Sequence, residues 1–528
     1  MPRRAGRSQS LWGGLLLLVF VAFPHPAFPQ EPATGDKPGS PGQTPTPAPG
    51  PVQVTPVAPE TQPVPVIPDT QLIPTLTIPS TPQRVLPAPA FRTLPTARFT
   101  FEPTVTVSEE YTDNFNLTLS NKQSNFRSTV APGLGVIINS AFVKGLVAYK
   151  FAPSYDTATS EVSLFHSLLG QVLWEATPLW KLTLSDTLTR SDQPGEADRL
   201  GLRQQRQAFT SNTLSLTSDY LLGRVATRQS YQMTTFSSAE GDDTTSHTLA
   251  LSATLPLGQT NSITGGYEYL VSNTTSGNGS GTPNTSTATS GAANDFEVTG
   301  HKFTAGAARK LTTLRSVGIT TSYAVRTVTS RDSETDFKLW NAAVFTDYEL
   351  PGRLKLSGSL GVSGLSSDSG ASIGPNLSTR SSLTYQFARA LLSLSVDKGF
   401  SETFADGENF GVVDTEGVTG SLSYPITPLL TGTLSGTYRR NKTTGLGDTS
   451  VGTQQQNQKT ENWGGTLSFL WRLRPGLILE LSYTYTKQVG SDSNKQNVTP
   501  TTGNGNGSIG IDNSYTENRV RAAVNLAF

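Results

Sequence analysis

After residue 98 the chain alternates apolar and polar positions in stretches of about ten to fifteen residues, each broken by turn residues. In "SHTLALSATLPLG", Leu249, Leu251, Ala253, Leu255 and Leu257 share one parity, and Thr248, Ala250, Ser252 and Thr254 the other. "RLKLSGSLGVSG" sets Leu354, Leu356, Leu360 and Val362 against Arg353, Lys355, Ser357 and Ser359. "GLILELSYTYTK" sets Leu477, Leu479, Leu481, Tyr483 and Tyr485 against Glu480, Ser482, Thr484 and Thr486. Successive strand side chains point to opposite faces, so each stretch predicts a strand with one oily and one polar face. The last stretch, "RVRAAVNLAF", keeps the pattern to Phe528. Counting stretches predicts about 20 strands, within roughly 16 to 22.

The connections support one architecture. Very short turns are expected near Ser140-Ala141, Thr177-Pro178, Leu221-Leu222, Leu257-Gly258, Thr312-Thr313, Pro351-Gly352, Ala388-Arg389, Thr427-Pro428 and Pro475-Gly476. Longer polar loops are expected near 112–125, 192–206, 272–294, 404–414, 443–460 and 490–512. Short-then-long alternation suits an all-β, antiparallel, up-and-down transmembrane barrel over residues 98–528, with tight periplasmic turns and external loops. Strands that are half Ser, Thr, Gly or charged cannot build a dry sandwich core. A barrel wide enough to hold water tolerates them inside, while lipid accounts for the oily face and closure removes edges. Trp174, Trp180, Trp463, Trp471, Tyr267 and Phe528 suit interfacial aromatic girdles. The rival architecture, a β-solenoid, should show a fixed repeat, and none is seen.

The N-terminus reads differently. Arg3, Arg4 and Arg7 precede the apolar run Leu11 to Phe23, 13 residues long, too short to span a bilayer as a helix. Residues 1–30 are expected to be a cleaved signal peptide, with cleavage between 22 and 31. Residues 31–97 are rich in Pro, Thr, Ala, Val and Gln, which predicts a disordered periplasmic linker. It would reach roughly 45 Å as a coil.

Charge and special residues narrow the chemistry. Forty basic and forty acidic residues cancel, so no global field favours a nucleic-acid partner. There is no cysteine, which excludes disulfides, Cys-ligated metals and a thiol nucleophile. His166, His247 and His301 fall on different strands without metal-ligand spacing. "GNGNGSIGID" (503–512) spaces glycines like a phosphate loop but precedes no helix, and reads as an external loop. The expectation is therefore no enzyme, no cofactor and no bound metal.

The first strands read "FEPTVTVSEEYTDNFNLTLS" and then "VAPGLGVII". Through Glu110, Tyr111, Thr112, Asp113 and Asn114, then Pro132 and Gly133, this stretch resembles the β-barrel porin 2 family. The match covers about a tenth of the chain. The family includes outer-membrane proteins of exopolysaccharide and exosortase-associated gene clusters. The resemblance implies a barrel that passes polysaccharide together with periplasmic export components, with no catalytic residues to carry over. General diffusion of small solutes and a structural barrel with a closed lumen are the alternatives. The residues themselves predict a loop start at "TDN", because Asp and Asn side chains bond nearby backbone.

Parity places Arg353, Lys355, Arg439, Arg472, Arg474, Glu480, Glu517, Arg519 and Arg521 on the inner wall as pore-lining candidates, with Glu268 and Asp397. Their mixed signs predict ion-paired ladders, and Arg472 is expected directly opposite Glu480 across the turn at Pro475-Gly476. Val524, Leu526 and Phe528 resemble the C-terminal signal read by the outer-membrane insertion machinery. Outer-membrane lipid and that machinery are the expected partners.

Overall fold

The computed structural model describes residues 98–194, 206–238, 242–276, 296–330, 334–368, 372–404, 411–443, 459–491 and 514–528. The expected signal peptide and linker, and the glycine-rich 503–512, lie outside the described residues. The strands are Arg98–Thr112 (β1), Asn125–Asn139 (β2), Val143–Asp156 (β3), Glu161–Thr177 (β4), Trp180–Ser191 (β5), Phe209–Leu222 (β6) and Val225–Ser238 (β7). Asp242–Leu257 (β8), Asn261–Ser276 (β9), Phe296–Lys310 (β10), Arg315–Ser330 (β11), Glu334–Leu350 (β12), Leu354–Ser367 (β13) and Ser372–Gln386 (β14) follow. Leu391–Glu402 (β15), Val412–Pro425 (β16), Leu430–Thr443 (β17), Lys459–Arg474 (β18), Leu477–Ser491 (β19) and Tyr515–Ala527 (β20) complete the sheet.

Every strand pairs antiparallel with its sequence neighbours, and β1 pairs with β20, so the 20-stranded sheet closes into an up-and-down barrel. With strands ~4.8 Å apart and tilted about 40°, 20 strands enclose a barrel roughly 40 Å across. The even count brings Arg98 and Phe528 to one rim, here the near rim; the other is the far rim.

Alternation sorts the side chains. On β1, Thr106, Ser108 and Thr112 are buried while Phe99, Phe101 and Val107 are exposed. Contacts between distant strands fix which face is concave. Arg206, before β6, meets Glu517 of β20 beyond five intervening strands, which only the inner side allows. The outer face then carries Leu249, Leu251, Leu255, Ile319, Val344 and Leu360, all exposed. A water-soluble protein does not leave so broad an apolar belt uncovered. Half-exposed aromatics border it: Phe99, Trp174, Trp180, Tyr424 and Trp471 toward the near rim, and Tyr323, Trp340, Trp463 and Tyr483 toward the far rim. Inside, hydroxyl pairs bridge neighbouring strands: Thr254 with Thr264 at 3.1 Å, Ser357 with Ser382 at 2.7 Å, Thr466 with Thr484 at 3.2 Å.

The nine near-rim turns fall where the sequence places them. Gly258, Gly352 and Gly476 take φ of 76°, 71° and 77° there, a left-handed backbone that a side chain would strain. The far rim departs from the expected alternation. Six of its connections are long, but β3–β4, β7–β8, β11–β12 and β13–β14 are joined by only three or four residues.

Candidate functional site: the lumen wall and its two ion networks

The inner wall changes character with height. Toward the near rim its charges are partly exposed and paired in opposite signs. Lys181 meets Glu175 at 3.0 Å and Arg228 meets Asp219 at 2.7 Å. Arg521 meets Glu480 at 3.9 Å; higher on the wall, beside Tyr438, Arg439 meets Asp397 at 3.5 Å. Such water-exposed pairs are screened and add little to stability.

Toward the far rim the wall is packed, and Asp192 after β5, Arg206 before β6 and Phe404 after β15 reach in over it. The first network gathers at the β1–β20 seam. Arg127 on β2 forks onto two carboxylates, Asp156 of β3 at 2.8 and 2.9 Å and Asp192 after β5 at 2.9 and 2.6 Å. Phe165 lies beneath its guanidinium, 5.1 Å from the ring centre. Arg206, before β6, donates to Glu517 on β20 at 3.0 Å and to the Phe115 carbonyl at 3.1 Å. Glu517 also accepts from Thr112 at 2.9 Å and Arg519 at 2.9 Å, and Arg519 lies 3.8 Å from Glu110. Burial works against the Asp192 anion, yet hydrogen bonds from Arg127 and the charges of Arg127 and Arg206 hold its carboxyl below the ordinary range. The connection between β5 and β6 is thereby fastened to β2 and β20.

The second network lies across the lumen. Arg326 meets Glu268 of β9 at 2.8 Å and Glu402 at 2.6 Å, with only 2% of its side chain exposed. An apolar cluster of Leu270, Val298, Ala324, Val328, Leu339, Leu365, Phe404 and Val412 packs around it. Gly300 makes room: a Cβ there would collide with the Arg326 side chain. The contrast in exposure decides how the wall reads. Arg326, Arg206 and Glu517 are 2%, 5% and 4% exposed, whereas Arg521 and Glu480 are 39% and 30% exposed. The near-rim half is open to water, and the far-rim half is narrowed on two sides.

Of the nine pore-lining candidates, Lys355, Arg439, Arg472, Glu480, Glu517, Arg519 and Arg521 lie on strand positions of the inner parity. Arg353 sits in the β12–β13 turn, and Arg474 follows a bulge at the end of β18. The expected Arg472–Glu480 pair does not form. The connection is two residues long, and the bulge between Arg472 and Arg474 shifts the register. Glu480 faces Leu470, Arg472 faces Ile478, and Glu480 turns to Arg521 of β20. Arg127, Asp156, Asp192, Arg206, Arg326 and Glu402 were not singled out. Parity alone could have flagged Arg326, which shares its face with Ser322 and Ala324.

The family-motif residues work on the seam. Glu110 and Thr112 face the first network, and Tyr111 packs on Phe126 with ring centres 4.8 Å apart. Asp113 does not bond its own loop as expected; it accepts from Asn518 Nδ2 and N of β20, both at 2.7 Å. Asn114 does both, accepting from Thr118 N at 3.1 Å and donating to Thr516 O at 2.8 Å. At the other end of the seam Val524 opposes Val107 and Leu479, Leu526 opposes Val105 and Leu477, and Phe528 N donates to Pro103 O at 3.1 Å. Phe528 itself is exposed on the outer parity.

The three barrel histidines also face outward. His166, His247 and His301 each bond a tyrosine, Tyr149, Tyr231 and Tyr267, at 2.7, 2.8 and 2.8 Å. Among the described residues no group of three or more His, Asp or Glu could hold a metal ion.

No family model and no curated protein matches the chain. Solved structures resemble it in outline. The ferric enterobactin receptor of Pseudomonas aeruginosa is 11% identical, with 81% of this chain and 80% of that one covered at a TM-score of 0.44. FpvA of P. aeruginosa, bound to a pyoverdine, is 10% identical over 81% and 72%, with a TM-score of 0.46. The P. aeruginosa outer membrane protein opdK is 11% identical over 81% and 99%, with a TM-score of 0.35. Likeness at this level carries no function to this chain.

Proposed function

We propose that this chain is an outer-membrane β-barrel acting as a passive, porin-like conduit, not an enzyme. The observation that carries the reading is the closed 20-stranded sheet with an aromatic-edged apolar outside and a hydroxyl-rich, mixed-charge inside. Lipid is the environment that matches the first surface, and water the second. The even strand count supports near-rim turns in the periplasm and far-rim loops outside. The opposed charges along the lower lumen suit weak selectivity rather than a single-sign filter.

The cargo we propose is exopolysaccharide, on the strength of the sequence resemblance through Glu110 to Asn114. Hydroxyls and ion pairs that exchange readily with water suit a neutral or lightly charged sugar chain. Deleting the gene should abolish surface polysaccharide and leave polymer in the periplasm, with small-solute uptake unchanged. Normal surface polysaccharide with impaired small-solute uptake would instead favour a general diffusion porin. A closed structural barrel has one observation in its favour, the packed cluster around Arg326 and Phe404, and predicts no conductance.

A further inference from the structure

The outer face carries a charge array that the conduit reading does not use. On β15–β18 four ion pairs run side by side. Lys398 meets Glu416 at 2.7 Å, and Arg440 lies 3.8 Å from Glu416 and 3.9 Å from Glu461. Lys459 then meets Glu461 at 2.7 Å. All lie on the parity of the apolar belt: Lys398 follows Leu394 and Val396, and Arg440 follows Leu434 and Tyr438. Lys398, Glu416, Arg440 and Glu461 form the row one step beyond Tyr438 and Trp463 toward the far rim, where the hydrocarbon ends and polar headgroups begin. Lys442 and Lys487 add two exposed cations that make no ion pair with a described residue. With Asp414, the patch holds five cations against three carboxylates. Other outward charges near this rim on the described strands, such as Glu109, Glu297 and Asp336, are mostly acidic.

We infer that this β15–β19 patch binds the phosphates of a phosphorylated glycolipid headgroup in the outer leaflet. The inference rests on the membrane-spanning reading above. Carboxylates between the cations hold Lys398, Arg440 and Lys459 apart in a fixed row, so the array presents separated donors. That matches phosphates carried on one sugar headgroup better than a single small anion. The surplus cations Lys442 and Lys487 supply the net attraction.

The test uses the full-length folded barrel in detergent, with bisphosphorylated lipid A, its dephosphorylated form and phosphatidylglycerol as probes, and native mass spectrometry as the readout. Wild type should hold the bisphosphorylated lipid more tightly than either other probe. The variant Arg440→Gln, Lys442→Gln, Lys487→Gln should lose on the order of tenfold or more in that affinity. Equal binding of phosphorylated and dephosphorylated lipid, or no loss in the triple variant, overturns the proposal. Equal retention of phosphatidylglycerol overturns the glycolipid as source. Heat-modifiable gel mobility keeps the two readings apart. Folded samples that show no phosphate preference sink only this inference, whereas absence of a folded, membrane-extracted barrel sinks the conduit reading beneath it.

Discussion

Arg326 is the most consequential single side chain of the wall, because two carboxylates depend on it in a site that water barely reaches. Replacing it with Leu removes the buried guanidinium that both Glu268 and Glu402 bond, leaving Lys302 as the nearby cation acting on Glu402. Barrel stability should fall by about 3–5 kcal/mol. Adding Glu268→Gln and Glu402→Gln to that variant should restore most of the loss. Urea unfolding from lipid vesicles, followed by tryptophan fluorescence, measures both; an unchanged midpoint for Arg326→Leu contradicts the account. Asp192 makes the pH argument. Its carboxyl is held below the ordinary value in the folded state, so its contribution is complete above the unfolded pKa of about 4 and disappears as pH falls through the lower folded value. The stability difference between wild type and Asp192→Asn should therefore be the same at pH 7 and pH 5 and shrink at pH 3. A difference already gone at pH 6 would show that the Arg127–Asp192 contact is not what fastens the β5–β6 connection.

Among the elements, the β18–β19 hairpin shows what alternation can and cannot predict. Its faces were legible: Leu479 stands outward between Trp471 and Val524, and Glu480 inward beside Arg521. Leu481→Arg, one outward step deeper in the belt than Leu479, should cost up to about 2–4 kcal/mol, and Glu480→Arg much less. Heat-modifiable gel mobility compares them, and equal folding defects would mean the inside–outside assignment of this hairpin is wrong. The register was not legible, because one bulge at Arg472 moves every opposite neighbour while leaving the period intact. The four short far-rim connections were missed for a related reason. Strand tops such as "SSAEGDDTT" and "SRDSETD" rise past the lipid belt, where neither face needs to be apolar. With no alternation there, a tight turn reads as loop. The near-rim turns were readable because apolar strand positions continue almost to Pro351-Gly352 and Pro475-Gly476.

At the scale of the whole molecule, the closed all-β barrel and its strand number follow from the two-residue period and the turn residues alone. The seam network of Arg127, Asp192, Arg206 and Glu517 does not, because it joins residues up to 390 positions apart (127 to 517), two of them, Asp192 and Arg206, outside the strands where no alternation marks a face. Orientation is a further test at this scale. A protease site inserted after Asn121, in the far-rim connection of β1 and β2, should be cleaved on intact cells, while one after Gly352 should be protected until the envelope is opened. The reverse pattern would invert the barrel in its membrane. The central claim, a water-filled path through the 20-stranded wall, is tested most directly by single-channel recording of the purified, folded barrel in a planar bilayer. The account predicts discrete conductance steps of weak ion selectivity, shifted toward anions by Glu480→Arg. A barrel that inserts and shows heat-modifiable mobility yet gives no steps would contradict it.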